Sequence, residues 1–88
     1  MDALRMAIMI EDANKHLRNL FPDYDEQAEP ARQVLRTLMH ELQTDNVLKA
    51  LTEALKRVQD KFGDTQKASV HTMWFCAAAV DVMKENPN

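Results

Sequence analysis

The stretch that decides the fold is Met73-Trp-Phe-Cys-Ala-Ala-Ala-Val80, eight consecutive apolar residues within a segment rich in helix formers. A helix turns about 100° per residue, so eight consecutive positions cover its whole circumference. A helix on the surface of a small domain needs only one apolar stripe. This helix is therefore either enclosed on all sides by its own domain or closed off by a second chain.

On a helical wheel this segment separates into two apolar faces. The face that we assign to the chain's own bundle holds Val70, Met73, Trp74, Ala77 and Val80. The face that we predict to be surplus holds Phe75, Cys76, Ala79, Val82 and Met83. Asp81 lies near the middle of the first face, toward its C-terminal end.

The composition indicates an all-α domain spanning residues 1–88. One glycine and three prolines are present, and good helix formers dominate the 88 residues. No alternating pattern typical of strands is found. The single cysteine, Cys76, excludes an intramolecular disulfide and fits a reducing compartment.

Apolar residues spaced by threes and fours predict a small antiparallel bundle of four helices. The helices are expected at about 2–20, 30–43, 46–62 and 65–85, with an acidic linker over 22–29. Thr44, Asp45 and Asn46 all favour an N-cap, but neither glycine nor proline interrupts this region. One long central helix over 30–62, in a three-helix domain, is the alternative. Gly63 ends that region, and Asp64 or Thr65 caps the last helix.

Leu4 and Ile8 form a short second stripe on the first helix, opposite its main apolar seam. First and last helices of an up-down bundle are antiparallel neighbours, so this stripe and the surplus face fall at the same end of the molecule. Exposed apolar patches mark interfaces, and dimerisation would complete the bundle. The predicted interface consists of Leu4, Ile8, Phe75, Cys76, Ala79, Val82 and Met83.

The acidic linker is a second candidate binding element. Tyr24 is flanked by Asp23, Asp25 and Glu26, so a basic partner could be held around a tyrosine anchor. A solvated acidic loop is the alternative interpretation.

No pattern of residues indicates catalysis, a metal site or a cofactor site. His16, His40 and His71 fall on three different helices, without the Glu-x-x-His pairs that metal sites in bundles use. His71 precedes Cys76 by five residues, about 140° around the helix, so it cannot activate that thiol within the element. Gly63 alone cannot form a phosphate-binding loop. We therefore expect a protein that is not an enzyme.

The net charge of −3 gives no electrostatic footprint for nucleic acid. Apolar runs are too short for a signal peptide core or a membrane span, which predicts a cytoplasmic protein with no membrane partner. The leading prediction is a homodimeric protein–protein interaction module, acting as an adaptor, inhibitor or regulator of another protein. The alternative is a nucleic-acid-associated transcriptional regulator using the helices within 30–62, where Arg32 and Arg36 lie four residues apart.

Overall fold

The computed structural model describes residues 3–85, with side chains from Leu4 onward, and this part of the chain is all-α. Its helices are α1 (Ala3–Leu20), α2 (Tyr24–Gln27), α3 (Glu29–Glu41), α4 (Val47–Phe62) and α5 (Gln66–Glu85). The four longer helices end within two residues of their predicted bounds. The predicted start of the first helix at Asp2 lies outside the described residues.

The break between the two central helices is confirmed, and a side-chain cap explains it. Asn46 has an extended backbone, and its side-chain oxygen accepts a hydrogen bond from Leu48 N at 3.0 Å. This bond satisfies one of the free N–H groups at the start of α4. The long-helix alternative is therefore wrong. At the next connection Gly63 has a positive φ of 63°, and Thr65 Oγ1 accepts from Ala68 N to begin α5.

The segment predicted as an acidic linker is more ordered than expected. Residues 24–27 form the single-turn helix α2, and Tyr24 and Ala28 are buried. Four residues are too few for an apolar period to show in the sequence. Pro30 falls in the first turn of α3, where its missing N–H costs nothing.

Helix α5 is the centre of the molecule, because it packs against α1, α3 and α4. Its three consecutive alanines, Ala77, Ala78 and Ala79, have no solvent exposure. Their small side chains let neighbouring helices approach closely on different sides. The part of the apolar run from Cys76 to Ala79 is thus enclosed by the chain itself, whereas Met73 at its start is exposed.

The main core lies between α5 and the pair α3 and α4, with one contribution from α1. Its buried members are Ile10, Leu35, Leu38, Val47, Ala50, Leu51, Ala54, Cys76, Ala78, Ala79 and Val82. A smaller cluster on the opposite side of α5 joins Leu17, Tyr24, Ala28 and Ala77. Helices α1 and α5 are neighbours, as predicted. Asn14 bonds to Ala77 while Phe21 contacts Trp74, so their contacts run in opposite directions along the chain.

Candidate functional site

The predicted interface divides between surface and core. Leu4 and Ile8 are 71% and 52% exposed, so the predicted stripe on α1 does face solvent. Cys76, Ala79 and Val82 are instead buried in the main core. Phe75 and Met83 are half-buried against that core. The prediction that this face of α5 is exposed is therefore wrong, because α3 and α4 cover it.

The opposite face of α5, assigned from the sequence to the bundle, is partly open. Val70 is 47% exposed and Met73 is 39% exposed, although Ala77 on the same face lies beneath Leu17 and Tyr24. We call Val70 and Met73 the α5 ridge. The N-terminal half of α5 thus carries the exposed apolar surface, while its C-terminal half is covered.

Tyr24 does not serve as a surface anchor, contrary to the prediction from the acidic loop. Its ring stacks on Trp74 with centroids 5.8 Å apart, and the Arg18 guanidinium lies 4.5 Å from the ring centre. The flanking acids Asp23, Asp25 and Glu26 are exposed. The Tyr24 side chain therefore packs against α5 and holds this segment on the domain, and it is not available to a partner.

The phenol of Tyr24 belongs to a polar cluster centred on Asp81, which we call the Asp81 network. Asp81 Oδ1 accepts hydrogen bonds from Asn14 Nδ2 at 3.2 Å and from Arg18 Nη2 at 2.7 Å. Asp81 Oδ2 accepts from Tyr24 OH at 2.9 Å and from Arg32 Nη1 at 3.0 Å. Four donors from α1, α2 and α3 thus meet one carboxylate of α5.

The network sets the ionisation of its members. Burial pushes the pKa of Asp81 upward, but the hydrogen bonds from Tyr24, Arg18 and Arg32 outweigh burial and hold the pKa below its ordinary value of 3.8. Burial, followed by the hydrogen bond to Asp81, raises the pKa of Tyr24 well above 10. Asp81 is therefore a fixed anion and Tyr24 a fixed neutral donor at neutral pH. Such a cluster holds helices together and offers no group poised for proton transfer.

A large groove lies between α1, the α4–α5 connection and the N-terminal half of α5. This α1–α5 groove has a volume of about 760 Å³. Its apolar lining consists of Met9, Ala13, Ala68, Met73 and Cys76. Its charged or titratable rim consists of Asp12, His16 and Asp64. Burial raises the pKa of the Cys76 thiol, so the thiol stays protonated and is not an activated nucleophile.

A second groove runs along the other side of the N-terminal half of α5. Two adjoining cavities of about 450 and 230 Å³ share Val34, His71 and Phe75. The first cavity extends to Trp74 and the second to Phe62. We call the two cavities together the α3–α5 groove. The α5 ridge therefore stands between two apolar grooves.

The three histidines do not converge. His16 lines the α1–α5 groove and His71 the α3–α5 groove, while His40 lies near the end of α3. Among residues 4–85, no cluster of three or more His, Cys, Asp or Glu side chains is arranged to hold a metal ion. Within the same part of the chain, no helix is long and apolar enough to cross a lipid bilayer.

Sequence reasoning missed the Asp81 network and the exposed part of α5. One signal for the network was present, since Asp81 interrupts an apolar face. Comparison with protein-family models, curated protein sequences and solved structures finds no significant match to this chain.

Proposed function

We propose that this protein is a small non-enzymatic interaction module, which forms a homodimer and acts as an adaptor, inhibitor or regulator of another protein. The observation that carries this proposal is the α5 ridge. Val70 and Met73 are exposed beside the apolar α1–α5 groove, although the core of the domain is complete without them. Exposed apolar surface next to a groove is typical of binding sites rather than of inert surface.

Shape supports a second copy as the occupant of this surface. A two-fold axis places the same patch of both copies face to face. An apolar ridge adjacent to an apolar groove is self-complementary under that operation, since each copy inserts its ridge into the groove of the other. Met9 and Met73 lie on the two walls of the α1–α5 groove, and methionine side chains adapt well to an incoming surface.

The charges of α3 favour this reading over the nucleic-acid alternative. Arg32 is buried and pairs with Asp81 and Glu29, and Arg36 pairs with Glu29 and Glu85. Neither guanidinium is available to a phosphate backbone without breaking these ion pairs. We place the protein in the cytoplasm, which its single buried thiol, Cys76, suits.

Sedimentation equilibrium at tens of micromolar tests the dimer. We expect a species of twice the mass of the 10.1 kDa chain. Met73→Glu should raise the dimer dissociation constant at least about tenfold, because it places a charge at the centre of the contact. The domain should keep its helical circular dichroism, since Met73 is exposed.

Leu42→Glu is the matched control, because Leu42 is also an exposed apolar residue and lines neither groove. Ile8→Glu examines the predicted α1 stripe in the same way. A strictly monomeric wild-type protein would overturn the homodimer. Dissociation by Ile8→Glu but not by Met73→Glu would move the interface to the outer face of α1.

A further inference from the structure

The α3–α5 groove differs from the α1–α5 groove in its charge. Its titratable lining residues are Arg57, Lys61 and His71, and no Asp or Glu side chain lines either of its cavities. The α1–α5 groove has Asp12 and Asp64 on its rim. The net charge of the chain is −3, so a groove lined by basic side chains differs in sign from the protein as a whole.

Two lysines at the Phe62 end of the groove supply accessible charge. Lys61 Nζ lies 5.4 Å and Lys67 Nζ 5.7 Å from the centre of the Phe62 ring. Within the described residues, neither lysine forms an ion pair. Arg57 is different, since Glu41 and Glu53 lie 3.6 and 3.3 Å from its guanidinium. The ammonium groups of Lys61 and Lys67 are therefore available to pair with carboxylates of a partner.

The base of the groove is apolar and partly aromatic. Phe62 stacks on His71 with ring centroids 4.7 Å apart, and Phe75 and Trp74 continue the surface along α5. Val34 on α3 is 41% exposed and forms part of the opposite wall. An apolar channel bordered by helices accepts the apolar face of another helix, whose side chains at i, i+3, i+4 and i+7 fill it.

We propose that the α3–α5 groove binds an amphipathic helix of a partner protein whose apolar stripe is flanked by Asp and Glu. The stripe packs along His71, Phe75 and Trp74. The flanking carboxylates pair with Lys61 and Lys67, which steers association and fixes the orientation of the helix. This groove lies on the other side of α5 from the α1–α5 groove and shares only Val70 with the α5 ridge. Its assignment as a partner site rests on the proposed function, and it gives the module a second surface for the protein that it regulates.

The direct test uses two designed 16-residue helical peptides with the same leucine stripe. One carries glutamate and the other lysine at the flanking positions. Trp74 is the only tryptophan and lines the groove, so its emission reports binding without a label. We expect the glutamate peptide to shift the Trp74 emission and to bind about tenfold or more tightly than the lysine peptide at low salt. Added salt should reduce this preference.

Charge reversal identifies the groove. The double variant Lys61→Glu/Lys67→Glu should lose most of the affinity for the glutamate peptide and gain affinity for the lysine peptide. Lys15→Glu/Lys49→Glu changes the net charge equally at exposed lysines that line neither groove, and it should bind as the wild type does. Circular dichroism verifies that both variants are folded.

Equal binding of the two peptides, or equal loss in both double variants, would overturn the proposal. Tighter binding of a 20-base-pair DNA duplex than of the glutamate peptide, dependent on Lys61 and Lys67, would also overturn it in favour of a nucleic-acid surface. The peptide assay is performed on the full chain at a concentration where its oligomeric state is known. Failure of the dimer and failure of this site are therefore recorded by separate measurements.

Discussion

At the scale of single residues, Asp81 is the most heavily connected side chain of the network. Only 10% of its side chain is exposed, and its ion-pair partner Arg32 is 9% exposed. Burying a charge is costly unless it is paired and hydrogen-bonded, and both oxygens of Asp81 are satisfied. The Arg32 guanidinium also donates to the carbonyl oxygen of Asp25, which attaches the α2 turn to α3.

We expect Asp81→Asn to destabilise the fold by about 3 kcal/mol, because it leaves the Arg32 charge buried without its carboxylate partner on α5. Urea unfolding monitored by circular dichroism measures the change. Asp60→Asn is the control, since Asp60 is an exposed acid on α4 outside the network and outside both grooves, and it should change stability by less than about 0.5 kcal/mol. A loss below about 1 kcal/mol for Asp81→Asn would show that the network contributes little.

The sequence indicates part of this network but not its pairing. Asn14 and Asp81 are polar residues at positions that the helical period turns toward neighbouring helices. Such residues need partners when buried. Tyr24 and Arg32 are distant from Asp81 along the chain, and only the way in which α2 folds back brings the three together. Pairing of this kind depends on tertiary geometry, which periodicity does not encode.

At the scale of the helices, the ends of α3 and α4 both require a positive φ, but only one of them has glycine. Gln43 follows α3 with φ of 51°, and Gly63 follows α4 with φ of 63°. At the end of α3, Gln43 N donates to His40 O and Thr44 N donates to Met39 O. These two bonds form a Schellman motif, whose left-handed residue is usually glycine.

We expect Gln43→Gly to stabilise the protein by up to about 1 kcal/mol, because glycine adopts this conformation without a steric penalty. Gly63→Ala should have the opposite effect and cost about 1–2 kcal/mol, since its positive φ strains any side chain although no atom lies within 4 Å of the added Cβ. Thermal melts of the two variants are compared with the wild type. Destabilisation by Gln43→Gly would mean that the Gln43 side chain contributes more than the backbone strain costs.

The helices themselves were largely predictable, and the environment of α5 was not. Apolar spacing located the four long helices, and the cap-forming residue Asn46 marked the break between α3 and α4. The same spacing divided α5 into two faces, but it does not state which neighbour covers each face. The sequence-based assignment was therefore wrong at several positions, although Ala77 is buried on the face assigned to the bundle. Val82 is core, whereas Val70 and Met73 are exposed.

At the scale of the whole molecule, carboxylates with lowered pKa values make the fold sensitive to acid. The pKa of Asp81 lies below 3.8, and hydrogen bonds from Arg36 and Arg32 lower the pKa of Glu29 to about 2. Below their ordinary pKa values the unfolded chain binds more protons than the folded chain, so stability falls as the pH falls. The stabilisation is complete above about pH 5 and is lost progressively toward pH 2.

Urea midpoints measured from pH 7 to pH 2.5 at constant ionic strength test this expectation. The wild type should lose stability steeply below pH 4, and Asp81→Asn should show a shallower decline because one of the linked groups is missing. Parallel curves for the two proteins would contradict a role for Asp81 in the acid response.

The central position of α5 has a consequence for how the chain folds during synthesis. Helix α1 packs chiefly on α5, and the main core is closed only by the residues of α5 that face α3 and α4. While residues 66–85 are still inside the ribosome, α1, α3 and α4 therefore lack the helix against which all three pack. The nascent chain then exposes the apolar faces of these helices together, and its native structure forms only after residues 66–85 have emerged. Fragments that stop before α5 are expected to be substrates for chaperones and proteases rather than partly folded domains.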